Sequence, residues 1–257
     1  MVGGILLLFL LLPLLGLVTT TGWPDFTAGL EHPLVWPALK LSVFTTTFSL
    51  LIIVVVGTPL AWTLAWRRGR LAAAVETLVQ LPIVIPPAVA GVALLLAFGR
   101  RGLLARWVYP EGWSMAFTTG AVVMAEIFVS APFFIQATTS AFRRIDENLF
   151  VVARSLGASP LRVFVRIGLP LAAPGLVSGG AMSWARSVGE FGATLMFAGN
   201  LTGKTQTLPL AIYTALESDL RAAQALSLVL VVVAFVLLAV VHVGHARLPA
   251  GHAADSR

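Results

Sequence analysis

From Leu41 to Trp66 the chain runs without one charged residue, and it then meets Arg67-Arg68-Gly69-Arg70. A helix needs roughly 20 apolar residues to cross the hydrocarbon of a bilayer. In that medium every backbone N–H and C=O must be satisfied inside protein. A run of this length ending in arginines therefore has one good solution, a spanning α-helix whose charged end sits at the interface. Composition extends this to the whole chain, with 58% hydrophobic and 11% charged residues. A soluble domain carries about 25% charged residues, so the bilayer is the solvent here. There is no cysteine, which excludes disulfides, thiolate nucleophiles and cysteine metal sites. The net charge of +6 does not point to nucleic acid, because the basic residues stand in short loops between apolar runs.

Six spans are expected in an all-α membrane protein: Val2 to Thr21, Leu41 to Trp66, Leu78 to Phe98, Phe117 to Phe142, Leu169 to about Phe191, and Ala222 to Val243. The first resembles the core of a signal peptide. It has no basic residue before it and no small-x-small pattern after it, so it reads as a retained helix. Residues 1–36 form this helix and an outer loop, 37–245 the transmembrane domain, and 246–257 a short cytoplasmic tail. An even number of spans puts both termini on one side. Placing them inside gives that face ten of the 17 Lys and Arg residues, five of them between Arg143 and Arg166. Positive residues favour the cytoplasm, so the 143–170 loop is placed there. Trp23, Trp36, Trp107, Tyr109, Trp113 and Tyr213 on the outer loops read as interfacial anchors.

Within the spans, polar and broken positions are candidates for a pathway. Pro82, Pro86, Pro87 and Gly91 interrupt the third span, and unpaired backbone in a membrane is tolerated only against protein or a water-filled cavity. A kink that merely fits helix packing is the competing reading. Thr45, Thr46, Thr47 and Ser49 can bond a passing oxyanion, or bond back to their own helix or a neighbour. Glu126 lies deep in the fourth span. Arg186 and Glu190, four apart near the outer end of the fifth, share a helix face and either neutralise each other or offer an anion a weak site.

The 143–170 loop, "RRIDENLFVVARSLGASPLRVFVRIGLP", is too polar to span. Asp146 caps a helix whose apolar positions are Leu149, Phe150, Ala153 and Leu156. Gly157 stands where a helix end wants a left-handed residue, and Ala158 follows. Ser159 as N-cap and Pro160 at the first position start a second helix, with Leu161, Phe164 and Ile167 on one face and Pro170 as its stop. Two short amphipathic helices outside the membrane need a cover. They either pack on their own spans or dock in a groove of a soluble partner.

The loop resembles the EAA loop of ABC-importer permeases: Ala153 at the third position, Gly157 after three residues, Ile167 after nine more, then Leu169-Pro170. Val151 and Val152 stand where the family has Glu and Ala, which removes one polar contact to an ATPase and leaves more to apolar docking. "LPIVIPPAVAGVALLLAFG" and "GEFGATLMFAGNLTGKTQTLPLAIYTALESD" are similar to the molybdate/tungstate and sulfate branch, the wording of the second being closer to molybdate permeases. The resemblance implies a type I ABC-importer permease fold with a cytoplasmic coupling-helix loop. It also implies a homodimer, two cytoplasmic ABC ATPase subunits that hold ATP and Mg, and an extracytoplasmic substrate-binding protein that selects the anion. It implies no cofactor on this chain and no enzymatic role for it. The ATPase-docking set is then Leu149, Phe150, Ala153, Leu156, Gly157, Ala158, Ser159, Pro160 and Phe164. Sulfate or thiosulfate is the alternative cargo. An ion-coupled secondary transporter would need more in-membrane acids than Glu126 and an internal repeat, and a passive channel would need no docking loop.

"GNLTGKT", Gly199 to Thr205, invites comparison with a phosphate-binding loop. The spacing between its glycines is one residue short, no strand precedes it, and its expected side is external. It reads as an outer turn that Gly199 and Gly203 permit.

Overall fold

A computed structural model describes residues 2–108 and 114–247, and within them every regular element is a helix. Tyr109, Trp113, Arg257 and residues 248–257 of the expected tail lie outside the described residues, as do the side chains of Arg106 and Arg247. The helices are α1 (Val2–Thr20), α2 (Trp23–Leu30), α3 (Val35–Trp66), α4 (Arg70–Val84), α5 (Pro87–Phe98), α6 (Ala105–Val108) and α7 (Thr119–Arg143). They continue with α8 (Glu147–Ser155), α9 (Pro160–Val163), a π turn (Phe164–Gly168), α10 (Leu169–Val188), α11 (Gly192–Ala198), α12 (Leu208–Ser218) and α13 (Leu220–Arg247).

Among the described residues, four helical stretches are long and apolar enough to cross a membrane: Gly3–Thr20, Val35–Trp66, Thr119–Arg143 and Pro160–Val188. The expected third span is not one straight helix. It is the pair α4 and α5, bent by 116°. The cause is local. A proline pushes the residue before it out of the helical region, and two in succession do so twice: Ile85 sits at ψ 130° before Pro86, and Pro86 at ψ 136° before Pro87. The count is thus four, or five with the bent pair, where the sequence suggests six. The sixth expected span falls on α13, of which Leu220–Val236 is the apolar stretch described.

The helix α7 is the axis of the bundle, packed against α3, α10 and α11. It runs parallel to α3, with Thr45 beside Glu126, Gly57 beside Phe134 and Leu64 beside Arg143. It runs antiparallel to α10, with Ser187 beside Ser130 and Gly179 beside Ala137. Small residues make this second contact close. A Cβ at Gly179 would stand 2.9 Å from the Ala137 Cβ and 3.1 Å from the Phe134 carbonyl oxygen. Close backbone approach through small residues is how helices associate where lipid offers no hydrophobic drive. By contrast α1 has no buried residue in its apolar stretch, and its principal contact is α13.

The two loops of interest lie at opposite ends of α7. Lys204 accepts a hydrogen bond through its carbonyl from the Thr119 hydroxyl (2.9 Å) at the first residue of α7. The α8 loop leaves its last. Twenty-five residues at 1.5 Å each put these ends about 37 Å apart. Arg67, Arg68, Arg143 and Glu147 line one cavity, so the basic ends of α3 and α7 share a face with α8.

Candidate functional site: the α8 loop and the polar seam of the spans

The caps of the loop are those its residue types favour. The Asp146 carboxylate accepts from the Asn148 N–H (3.0 Å) at the start of α8. Gly157 has φ +84° and no atom within 4 Å of where a Cβ would stand, so backbone conformation alone selects glycine there. The Ser159 hydroxyl accepts from the Arg162 N–H (3.3 Å), with Pro160 at the first helical position.

The helix that begins at Pro160 does not stop at Pro170. It passes through the π turn into α10. The Leu169 N–H reaches back five residues to the Phe164 carbonyl, and Pro170, which has no N–H to donate, follows directly on this π turn. The second half of the 143–170 loop and the span are therefore one continuous rod.

The loop has two faces with different occupants. Phe150 is only 5% exposed, its ring edge-on to Trp62 (5.3 Å) and Trp66 (5.1 Å) of α3. Trp62 also meets Phe142 of α7 (5.1 Å) and Phe164 of the π turn (5.2 Å). Gly168 makes room for this ring, since a Cβ there would stand 2.6 Å from it. Phe150 and Phe164 are thus not on an open docking face. They clamp the loop to the ends of three spans. Leu161, expected beside Phe164, is 71% exposed, and Val163 is the buried residue of α9. What the loop leaves open is Leu149 (47%), Val152 (58%) and Leu156 (84%), with Val151 also exposed, Ala153 half-buried, and Gly157, Ser159 and Pro160 at the surface beside a half-buried Ala158. Trp62 and Trp66 are the residues sequence reasoning missed. Their i, i+4 spacing at a span end reads as an interfacial anchor, and nothing local marks them as a socket.

Most of the expected pathway positions turn inward to protein. The Thr45 hydroxyl donates to Glu126 Oε1 (2.8 Å) and the Ser49 hydroxyl to Oε2 (2.7 Å), all three buried. Thr46 accepts from Trp184 Nε1 (3.0 Å) and donates to the Ser42 carbonyl. Thr47 alone of this group is exposed. The seam continues through Ser130, whose carbonyl and hydroxyl accept from Ser183 (3.0 Å) and Ser187 (2.8 Å). Gly91 seats α5 on α11, a Cβ there standing 2.6 Å from the Ala193 carbonyl oxygen. Pro86 and Pro87 form the exposed bend. Arg186 and Glu190 do pair, at 2.7 Å as a charge contact. Glu190 is buried, and its other oxygen accepts from the Ala193 N–H (2.8 Å) at the head of α11. The pair bridges the end of α10 to α11 across Gly189.

The Gly199–Thr205 stretch is a turn with Gly199 at φ +73° and Gly203 at +72°. The N–H groups of Lys204, Thr205 and Gln206 all point at the Leu201 carbonyl, so they are not free to cradle a phosphate.

Known proteins resemble this chain over most of its length. Residues 54–249 match the family model described as "Binding-protein-dependent transport system inner membrane component". The molybdenum transport system permease protein ModB of Mycobacterium tuberculosis is 47% identical over 245 residues, 95% of this chain and 92% of that protein. The probable transport system permease protein NifC of Clostridium pasteurianum is 36% identical, over 90% of this chain and 82% of that one. Among solved structures, a bacterial ABC transporter involved in alginate import superposes with TM-score 0.75 at 18% identity, covering 95% and 91% of the two chains. The MetNI methionine ABC transporter, in an inward-facing conformation, gives 0.63 at 19%, covering 88% and 98%.

Proposed function

Because this chain belongs to the binding-protein-dependent transport inner-membrane component family, we propose that it is the permease subunit of an ATP-driven importer that moves molybdate or tungstate. The observation that carries the mechanism is the two-faced α8 loop. Its inner face is clamped to α3, α7 and the rod leading into α10 through Trp62, and its outer face presents Leu149, Val152 and Leu156 to solvent. An exposed apolar helix face fixed to the ends of spans suits helix-in-groove docking of a motor. Two copies of the chain form the pathway, and two ATPase subunits dock at the α8 loops and hold ATP and Mg. Closure of the ATPases displaces the loops and switches the spans between inward and outward opening. Both termini and the loop lie in the cytoplasm, as the arginines favour. A binding protein on the outer face delivers the anion. The relatives' molybdenum names support the cargo, and spans that hold no cluster of basic side chains among the described residues suit a pathway that must release what it admits.

The test is uptake by the assembled transporter of labelled molybdate against competing tungstate and sulfate. Competition by tungstate but not by equal sulfate is expected, and a preference for sulfate would overturn the assignment.

A further inference from the structure

The proposed function leaves one polar cavity of the spans without a role. It lies between α3, α4 and α7, measures about 280 Å³, and is lined by Glu76, Gln80, Gln136, Thr139, Ser140 and Arg143. A single water needs only about 10–15 Å³ on such a measure, so there is room for a small hydrated ion. Five of the six polar residues can donate hydrogen bonds. Thr139 is 5% exposed, and its hydroxyl has no partner although it sits on a helix, where back-bonding is the usual outlet. Arg143 pairs with Glu76 and also donates to the Leu64 carbonyl (3.1 Å), which ties the three helices together at the cavity's edge. A second cavity, lined by Arg67, Arg68 and Glu147, shares Arg143 with the first.

We propose that this cavity is a transit site for a tetrahedral oxyanion, the last polar contact before release at the Arg143 end of the spans. The proposal rests on the oxyanion-importer reading. The chemistry is that of a weak, replaceable host. Hydroxyl and amide donors suit four acceptor oxygens from several sides. Arg143 supplies attraction, and its bond to Glu76 cancels most of that charge, so the anion competes with a carboxylate and is not trapped. Once past Arg143 it meets Arg67 and Arg68, both exposed to solvent, where screening ends the attraction.

The experiment uses the complete assembly of permease, ATPase and binding protein in proteoliposomes, and reads molybdate delivered per ATP hydrolysed. Gln136→Glu and Ser140→Asp place a second carboxylate in the cavity, and Gln136→Met and Ser140→Ala remove a donor without adding charge. The acidic variants are expected to lower the ratio about tenfold or more beyond their neutral partners through like-charge repulsion of a dianion, and the neutral ones to lower it about fivefold or less for one lost hydrogen bond. Ser140 is exposed, so Ser140→Asp decides the matter if Gln136→Glu does not assemble. Acidic variants that match their neutral partners would overturn the proposal. Wild-type assembly that moves no molybdate overturns the cargo assignment instead, which separates the two failures.

Discussion

Replacing Phe150 by alanine removes the ring that holds α8 to the ends of the spans. The ring is 5% exposed and lies edge-on to two tryptophans, at 5.3 and 5.1 Å. Buried Phe→Ala changes cost 3–5 kcal/mol, and each edge-to-face pair adds roughly 0.5–1.5 kcal/mol beyond area. The cluster sits at the end of the spans, where neighbours can relax, so the lower end applies, about 3 kcal/mol. At 1.4 kcal/mol per decade this is about a hundredfold in the ratio of clamped to released loop. Hydrogen exchange reads that ratio directly, because local opening sets amide protection. The α8 amides of Phe150→Ala are expected to lose about two decades of protection, those of α7 far less, and Phe150→Leu is expected to lose about one. In the assembled transporter the same variant hydrolyses ATP while delivering less substrate, since the motor then pulls a loop no longer fixed to the spans. Unchanged α8 protection, or full coupling despite lost protection, would refute the claim that the Trp62 cluster is the mechanical link.

The outer face behaves oppositely: Leu156→Asp, at a residue 84% exposed, leaves α8 protection intact and cuts co-purification with the ATPase about tenfold or more, an exposed apolar anchor of this kind being worth 1.4 kcal/mol or above in a docked interface. Gly157→Val forces a β-branched residue into φ +84° and costs about 2 kcal/mol, read as lost α8 protection together with weaker ATPase co-purification, with Gly157→Asn milder. Glu126→Leu removes the acceptor that the Thr45 and Ser49 hydroxyls share and leaves them only the longer bonds to the Ser42 (3.4 Å) and Val123 (3.3 Å) carbonyls, at about 1 kcal/mol each, so the thermal midpoint of the purified permease falls, and Glu126→Gln, which keeps partners for both, falls less.

The parts of this fold that were readable in sequence are those decided within a few residues. Asp146, Gly157, Ser159 and Pro160 each act on backbone no more than three or four positions away, so their roles as caps and turn follow from residue type. The Pro86-Pro87 pair is of the same kind in its cause, but its magnitude is not: sequence marks a break and not its angle, which is 116° with α5 seated on α11 at Gly91. Pro170 misleads for a related reason. A proline stops a helix unless the preceding turn absorbs the missing donor, and the π turn at Phe164–Gly168 that does so here packs Phe164 and Gly168 around Trp62, a residue about a hundred positions earlier.

The same distance separates what periodicity shows from what it hides. The spacing of Leu149, Phe150, Ala153 and Leu156 says that α8 has an apolar side. It does not say that the side divides, with Phe150 turned to Trp62 and Leu156 to solvent. One turn of a helix subtends both, and 100° between Leu149 and Phe150 is enough to turn one to the surface and the other to the spans. A coupling element needs that division. A helix buried on its whole apolar face transmits nothing to a partner, and one exposed on its whole apolar face transmits nothing to the spans. The Glu126 triad follows the same rule from inside the bilayer. Thr45 and Ser49, four apart, present hydroxyls on one helix face, which suits a passing anion or a fixed acid equally. The acid 77 to 81 positions away decides it, because a buried carboxyl in lipid must find donors and these are the ones that α3, running parallel to α7, brings within 3 Å.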